Sequence, residues 1–162
     1  MRYWEDITEG ERLDCRPIIF TLEEIMAFAQ QYDPQAFHID EQAAAASRFG
    51  GIIASSLQTL SACTRVIVDA QGDMAILSGL HIEQVLLPNP VRPDEVITLE
   101  AYWTDLRRSN SKPDRGMATT RFSAVNQHGE TVIASGFRYM IACRQTSDTV
   151  SCRIKKSLVT KG

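Results

Sequence analysis

The 162-residue chain reads as a single α+β domain in which an antiparallel sheet wraps a long central helix. Three observations carry that reading. Residues 52–71, "IIASSLQTLSACTRVIVDAQ", are apolar or small nearly all the way round, with no Lys, Glu or Asp between Ile52 and Cys63. A helix with that pattern is buried on most sides. Four strand-like runs follow it, at 75–87, 95–107, 117–127 and 131–144. In the second run Val96, Thr98, Glu100 and Tyr102 alternate with Ile97, Leu99, Ala101 and Trp103, the period of a half-buried strand. Consecutive strands after a buried helix pack most simply as one sheet curled around it.

The elements follow in order. "ERLDCRPIIF" (11–20) ends in an apolar run and is expected as a first strand. Thr21 then opens a helix over 22–32, and Glu24 completes a capping box. Leu22, Ile25, Met26, Ala29 and Tyr32 fall at helical spacing. Pro34 ends the helix, because a residue before proline is pushed out of the α region. Asp33 is therefore expected to project from irregular backbone. Asp40 can cap a second short helix, "EQAAAASR", which "FGG" terminates.

Later, "PNPVRPD" (88–94) is a proline-fixed corner and "RRSNSKPDRG" (107–116) a basic-polar loop. "NQHGE" (126–130) is a tight hairpin connection, with Gly129 free to take positive φ. The domain is placed at 1–144, and 145–162 is expected as a loosely held tail.

Bulk properties narrow the function. Apolar residues make up 44% and charged residues 23%, as in ordinary globular domains. A net charge of -3 and the lack of a Lys/Arg block give no electrostatic reason to bind nucleic acid. No apolar stretch approaches the roughly 18–20 residues that cross a bilayer. The start, "MRYWEDITEGERLD", lacks an apolar signal core, so a cytoplasmic location is the default expectation. Cys15, Cys63, Cys143 and Cys152 show no CxxC pair or zinc spacing and are expected as reduced, idle thiols.

The chemistry concentrates around Asp33 and His38. A carboxylate and an imidazole close together can hold one water and move protons at neutral pH, each transfer being worth about 10²–10⁴-fold in rate. Spacing alone does not establish that they meet, since Pro34 breaks the helical register between them. The bland alternatives are a turn-making Asp and a packed His. A divalent-ion set of Asp33, His38 and Asp40 is disfavoured, because capping is a sufficient role for Asp40.

Here "YDPQAFHIDEQAAAASRFGGIIASSLQTLS" resembles the signature of the MaoC-like dehydratases, the (R)-specific enoyl-CoA hydratase branch of the hotdog-fold superfamily. One sub-branch writes the opening Asp-Pro-Gln-Pro-Phe-His, with Ala36 here in place of the second Pro. "NPVRPDEV" and "SKPDRG" resemble that sub-branch's strand corner and later loop. The resemblance covers about residues 1–144. It implies a hotdog fold and a homodimer. It also implies addition of water to a trans-2-enoyl thioester to give the (R)-3-hydroxyacyl thioester, or the reverse.

Asp33 and His38 map onto the motif's water-binding pair. The N–H of Ser56, at the start of the central helix, maps onto the donor for the thioester oxygen. Gln35, Phe37, Phe49, Gly51 and Ser55 are implied on the substrate side. Arg48, Arg107, Arg108, Lys112 and Arg115 are candidates for the phosphates of coenzyme A, with the 107–116 loop the better cluster. Coenzyme A or an acyl carrier enters as part of the substrate, and no metal or redox cofactor is implied. The family's His-Gly is Ser55-Ser56 here, the main support for a non-catalytic thioester-binding protein. A hotdog thioesterase is the other alternative. Against it, the long helix has no carboxylate before Asp69.

Overall fold

A computed structural model of the chain describes residues 1–144. The expected tail at 145–162, with Cys152, lies outside the described residues. A short 3-10 turn at Trp4–Asp6 precedes β1 (Arg12–Leu13), α1 (Leu22–Tyr32), α2 (Ala36–Ile39), α3 (Glu41–Ala46) and α4 (Ser56–Gln71). Then come β2 (Ile76–Ile82), β3 (Thr98–Arg108), β4 (Arg115–Val125) and β5 (Thr131–Ala142). The strands form one antiparallel sheet in the order β1-β3-β4-β5-β2. This is the expected α+β arrangement, with α4 packed on the sheet's inner face.

Local chemistry explains the elements that matter for the site. Thr21 Oγ1 accepts from Glu24 N–H while Glu24 returns a bond to Thr21 N–H, so the capping box forms. Asp33 closes α1 at φ -153° and ψ 67°, outside the helical region, as the following Pro34 requires. Asp40 caps α3 by accepting from Gln42 N–H and Ala43 N–H. The hairpin glycine, Gly129, takes φ 78°.

The core joins Cys63, Val66 and Ile67 of α4 to Trp103, Phe122, Ile133, Phe137 and Ile141 of the sheet. Burying an aliphatic side chain of this size is worth about 1.5–3 kcal/mol. Gln71, at the far end of α4, donates to Thr120 Oγ1 at 3.2 Å.

Two expectations need correction. The first strand shrinks to Arg12–Leu13 paired with β3, plus one bridge from Ile18 to Ile97. Pro17 lies between the two contacts and has no N–H for a ladder. The central helix begins at Ser56 rather than Ile52, because Ile52–Ser55 form a buried, non-helical strap before it. As its pattern predicts, α4 is buried or half-buried on most sides. Leu57, Ser61, Arg65, Val68 and Asp69 form an exposed stripe at helical spacing.

Candidate active site

The strap 52–55 holds the site together. Ile53 N–H donates to Phe37 O at 3.3 Å, and Ala54 N–H donates to Val91 O at 2.8 Å. The strap is thus threaded between α2 and the proline corner. "FGG" delivers the chain to it, with Gly50 at φ 68°, a conformation glycine tolerates best.

Behind the strap, α2 is a single turn whose His38 is buried, with only 4% of its surface exposed. His38 Nδ1 lies 2.6 Å from Ile53 O. A carbonyl oxygen only accepts, so Nδ1 carries the proton and the other ring nitrogen is free to accept in the neutral ring. That nitrogen, Nε2, faces Asp33 Oδ2 at 3.4 Å. The pair that spacing could not establish does meet.

Asp33 is held from two sides. Ser55 Oγ donates to its Oδ2 at 2.6 Å, and Gln35 Nε2 donates to its Oδ1 at 2.9 Å. The Ser55 hydroxyl, then the Gln35 amide, then the nearby His38 hold the Asp33 carboxyl below the usual carboxylate range. Asp33 is therefore an anion at neutral pH.

The pair opens on a cleft of about 270 Å³. Gln35, Phe37, Phe49, Ser56, Thr59 and Asn89 contribute to its walls, with Val91 and Val132 at its apolar side. Ser56 is the first residue of α4, and its N–H has no protein acceptor among the described residues. Helix-start amides are unpaired and favour negative charge, so this N–H is available to a ligand oxygen. At the mouth, the Phe37 and Phe49 rings stand 5.1 Å apart. The Arg48 guanidinium lies 4.9 Å from the Phe49 centroid, and Arg92 Nη2 donates to Phe49 O at 2.7 Å.

The structure sorts the candidate residues. Asp33, Gln35, Phe37, His38, Phe49 and Ser56 converge on this cleft. Ser55 is fully buried behind Asp33 and does not line it. Gly51 faces a neighbouring depression with Glu41, Ile52 and Arg92. Arg107, Arg108, Lys112 and Arg115 do not reach the cleft within one chain. Arg115 pairs with Ala142 at the end of β5, whereas the cleft touches Val132 near its start. Ten residues of strand separate those levels, about 33 Å. Arg108 is engaged by Glu5 at 2.6 Å, and Arg115 by Asp114 at 2.7 Å.

Sequence reasoning missed the Ile53 carbonyl, Arg92 and the lining role of Leu87–Val91. The proline corner was visible as a corner, but nothing in its pattern said which loop it would face.

Comparison with known proteins identifies the family and the fold. A family model described as "MaoC like domain" matches residues 6–126. The uncharacterized protein YdeM of Bacillus subtilis (strain 168) is 31% identical over 126 residues, 76% of this chain and 86% of that protein. The crystal structure of a MaoC-like dehydratase from Rhodospirillum rubrum superposes with a TM-score of 0.81 at 33% identity, covering 90% of this chain and all of that one. The (R)-hydratase from A. caviae involved in PHA biosynthesis gives a TM-score of 0.67 at 21% identity over 83% of this chain and 97% of that one, a likeness of fold.

Proposed function

The chain belongs to the family of MaoC-like domains, and on that premise we propose that it is a hydratase/dehydratase of acyl thioesters. It adds water to a trans-2-enoyl-CoA to give a (R)-3-hydroxyacyl-CoA, or runs the reverse reaction. The observation that carries this reading is the meeting of Asp33 and His38 beside the free N–H of Ser56, in one cleft.

The chemistry follows from donors and acceptors. Asp33 and His38 Nε2 both present lone pairs, so a water seated between them donates a hydrogen to each and turns its oxygen toward the cleft. That oxygen bonds to C3 of the enoyl group while one water proton passes to the pair. The C2=C3 electron pair moves toward the thioester carbonyl, whose oxygen gains negative charge and takes the Ser56 N–H. Losing a donor of that kind costs about 3–4 kcal/mol of barrier. The enolate then collapses and C2 receives the proton from the same face. One water has been added, and no metal or redox group takes part in these steps.

The mouth suits a thioester with a charged carrier: Phe37 and Phe49 offer apolar walls, and Arg48 and Arg92 lie beside them. The 107–116 cations serve the same ligand only when a second copy brings them. A homodimer is part of this reading, supported by the β2 edge, where Leu77, Leu80 and Ile82 are exposed.

Loss of the conjugated enoyl-thioester absorbance tests the proposal. Wild type should remove it from a short trans-2-enoyl-CoA, and Asp33→Asn should not. Persistence of the band with every chain length, despite ligand binding, would refute hydration.

A further inference from the structure

Ser55 joins the irregular segment carrying Asp33 to the rigid start of α4. Its Oγ accepts from Leu57 N–H at 3.2 Å and donates to Asp33 Oδ2 at 2.6 Å, and the residue is fully buried. A hydroxyl has one proton. With Leu57 donating into the oxygen, that proton is committed to the carboxylate.

We propose that Ser55 is a positioning residue: its hydroxyl clamps Asp33 as a fixed anion beside the water site and leaves His38 as the group that takes and returns the proton. The catalytic half of this inference rests on the hydratase reading, and the clamp rests on geometry alone.

Three observations support the assignment. First, Asp33 sits at φ -153° and ψ 67°, past the end of α1, where no helical backbone sets its rotamer. Gln35 is a local tether two residues away, so Ser55, twenty-two residues on, is the link between the carboxylate and the long helix. Second, both carboxylate oxygens already receive neutral donors, which stabilise the charged form and make Asp33 a weaker base. The lowered Asp33 pKa agrees, with the Ser55 bond its largest cause. Third, His38 has its Nδ1 proton parked on Ile53 O, leaving Nε2 as the open acceptor. An imidazole is the side chain suited to cycling a proton near neutral pH.

The charged and titratable groups lining the cleft with Asp33 are His38 on α2 and Arg48 after α3. Among the described lining residues, α4, the proline corner and β5 contribute no charged side chain. Among the described residues, little else competes with Ser55 and Gln35 for control of the carboxylate.

The test compares wild type with Ser55→Ala, Ser55→Gly and Ser55→Thr in the full chain. Glycine is tolerated at an N-cap, so it carries the measurement should alanine unfold the helix start. The first readout is independent of turnover: ¹³C NMR titration of the Asp33 carboxyl. The Ala and Gly variants should raise its pKa toward the ordinary carboxylate value, and Thr should restore the wild-type value. The second readout is the pH profile of kcat and KM with a short trans-2-enoyl-CoA. Loss of the clamp should lower kcat by about 10²-fold, as for a misplaced reacting group, with little change in KM. Thr should recover the wild-type kcat.

An unchanged Asp33 titration in Ala and Gly overturns the clamp. A shifted titration with wild-type kcat overturns the catalytic role. A shifted titration with no hydration even by wild type refutes the hydratase reading and leaves the clamp standing.

Discussion

His38 Nδ1 and the carbonyl oxygen of Ile53 lie 2.6 Å apart, across fifteen residues of sequence. This contact ties the one-turn helix α2 to the strap that leads into α4. It fixes the ring's tautomer and its rotation together, so the orientation of the acid/base pair depends on the strap's path. Ile53 N–H in turn donates to Phe37 O at 3.3 Å, which completes the tie from the other direction.

Removing either member of the pair should abolish most turnover while leaving the ligand bound. Asp33→Asn and His38→Gln should each lower kcat by about 10²–10⁴-fold. Steady-state kinetics beside calorimetric binding of a saturated acyl-CoA separates the two effects. Affinity lost in step with turnover would favour a binding role.

Ionised Asp33 also contributes to stability, with a definite pH sign. Its folded pKa is depressed, so the contribution is present above the unfolded value of about 3.9 and lost as pH falls through the folded value. Urea midpoints of wild type and Asp33→Asn should differ by a constant amount down to about pH 4.5 and converge below it. A gap that widens with acid would contradict the depressed pKa.

Cys63 should be chemically silent in the folded protein. It is fully buried on α4, and burial pushes its thiol pKa up to about 12. Peptide mapping after alkylation at mildly alkaline pH should find Cys63 unmodified until denaturant is added, whereas Cys15, half-exposed, is labelled before it. Rapid labelling of Cys63 would mean that α4 opens.

Gly116→Ala should dislodge the amino-terminal turn. A Cβ there would stand 2.5 Å from the Trp4 ring, whose Nε1 donates to Met117 O at 3.0 Å. Overpacking of this kind costs about 1–3 kcal/mol. Trp4 and Trp103 are the chain's two tryptophans, and Trp103 is fully buried, so a red-shifted emission reports Trp4. Unchanged emission and unfolding midpoint would show that the turn yields freely.

Arg48, which lines the cleft, should matter more than the arginines of the hairpin within one chain. Arg48→Ala should raise KM for a coenzyme A thioester about threefold to tenfold with kcat held, the modest effect of one exposed charge. An equal effect from Arg115→Ala would show that a second copy carries the hairpin to the cleft.

Much of this was legible in the sequence where one residue type has one strong local meaning. Thr21 with Glu24 and Asp40 before "EQAA" announced two helix starts, and Pro34 announced that Asp33 leaves the helix. What stayed hidden was set by tertiary contact. Ile52–Ser55 is small and apolar like the helix after it, so periodicity ran on through the strap. Ser55, a good N-cap residue, was the overlooked start signal. Its bond to Asp33 joins residues with no periodic relation. The distance of the 107–116 cations from the cleft follows from strand length and pairing, which composition does not encode. Which stripe of α4 stays exposed was not legible, because apolar residues that face solvent in one chain carry the same letters as those that face a sheet.

The most direct test of the central claim, that Asp33 and His38 deliver water to C3, is mass spectrometry of the products after reaction of a trans-2-enoyl-CoA in H₂¹⁸O. The account expects ¹⁸O in the hydroxyl of an intact (R)-3-hydroxyacyl-CoA, absent with Asp33→Asn. Label appearing instead in a free carboxylate, together with released coenzyme A, would contradict it and identify a thioesterase.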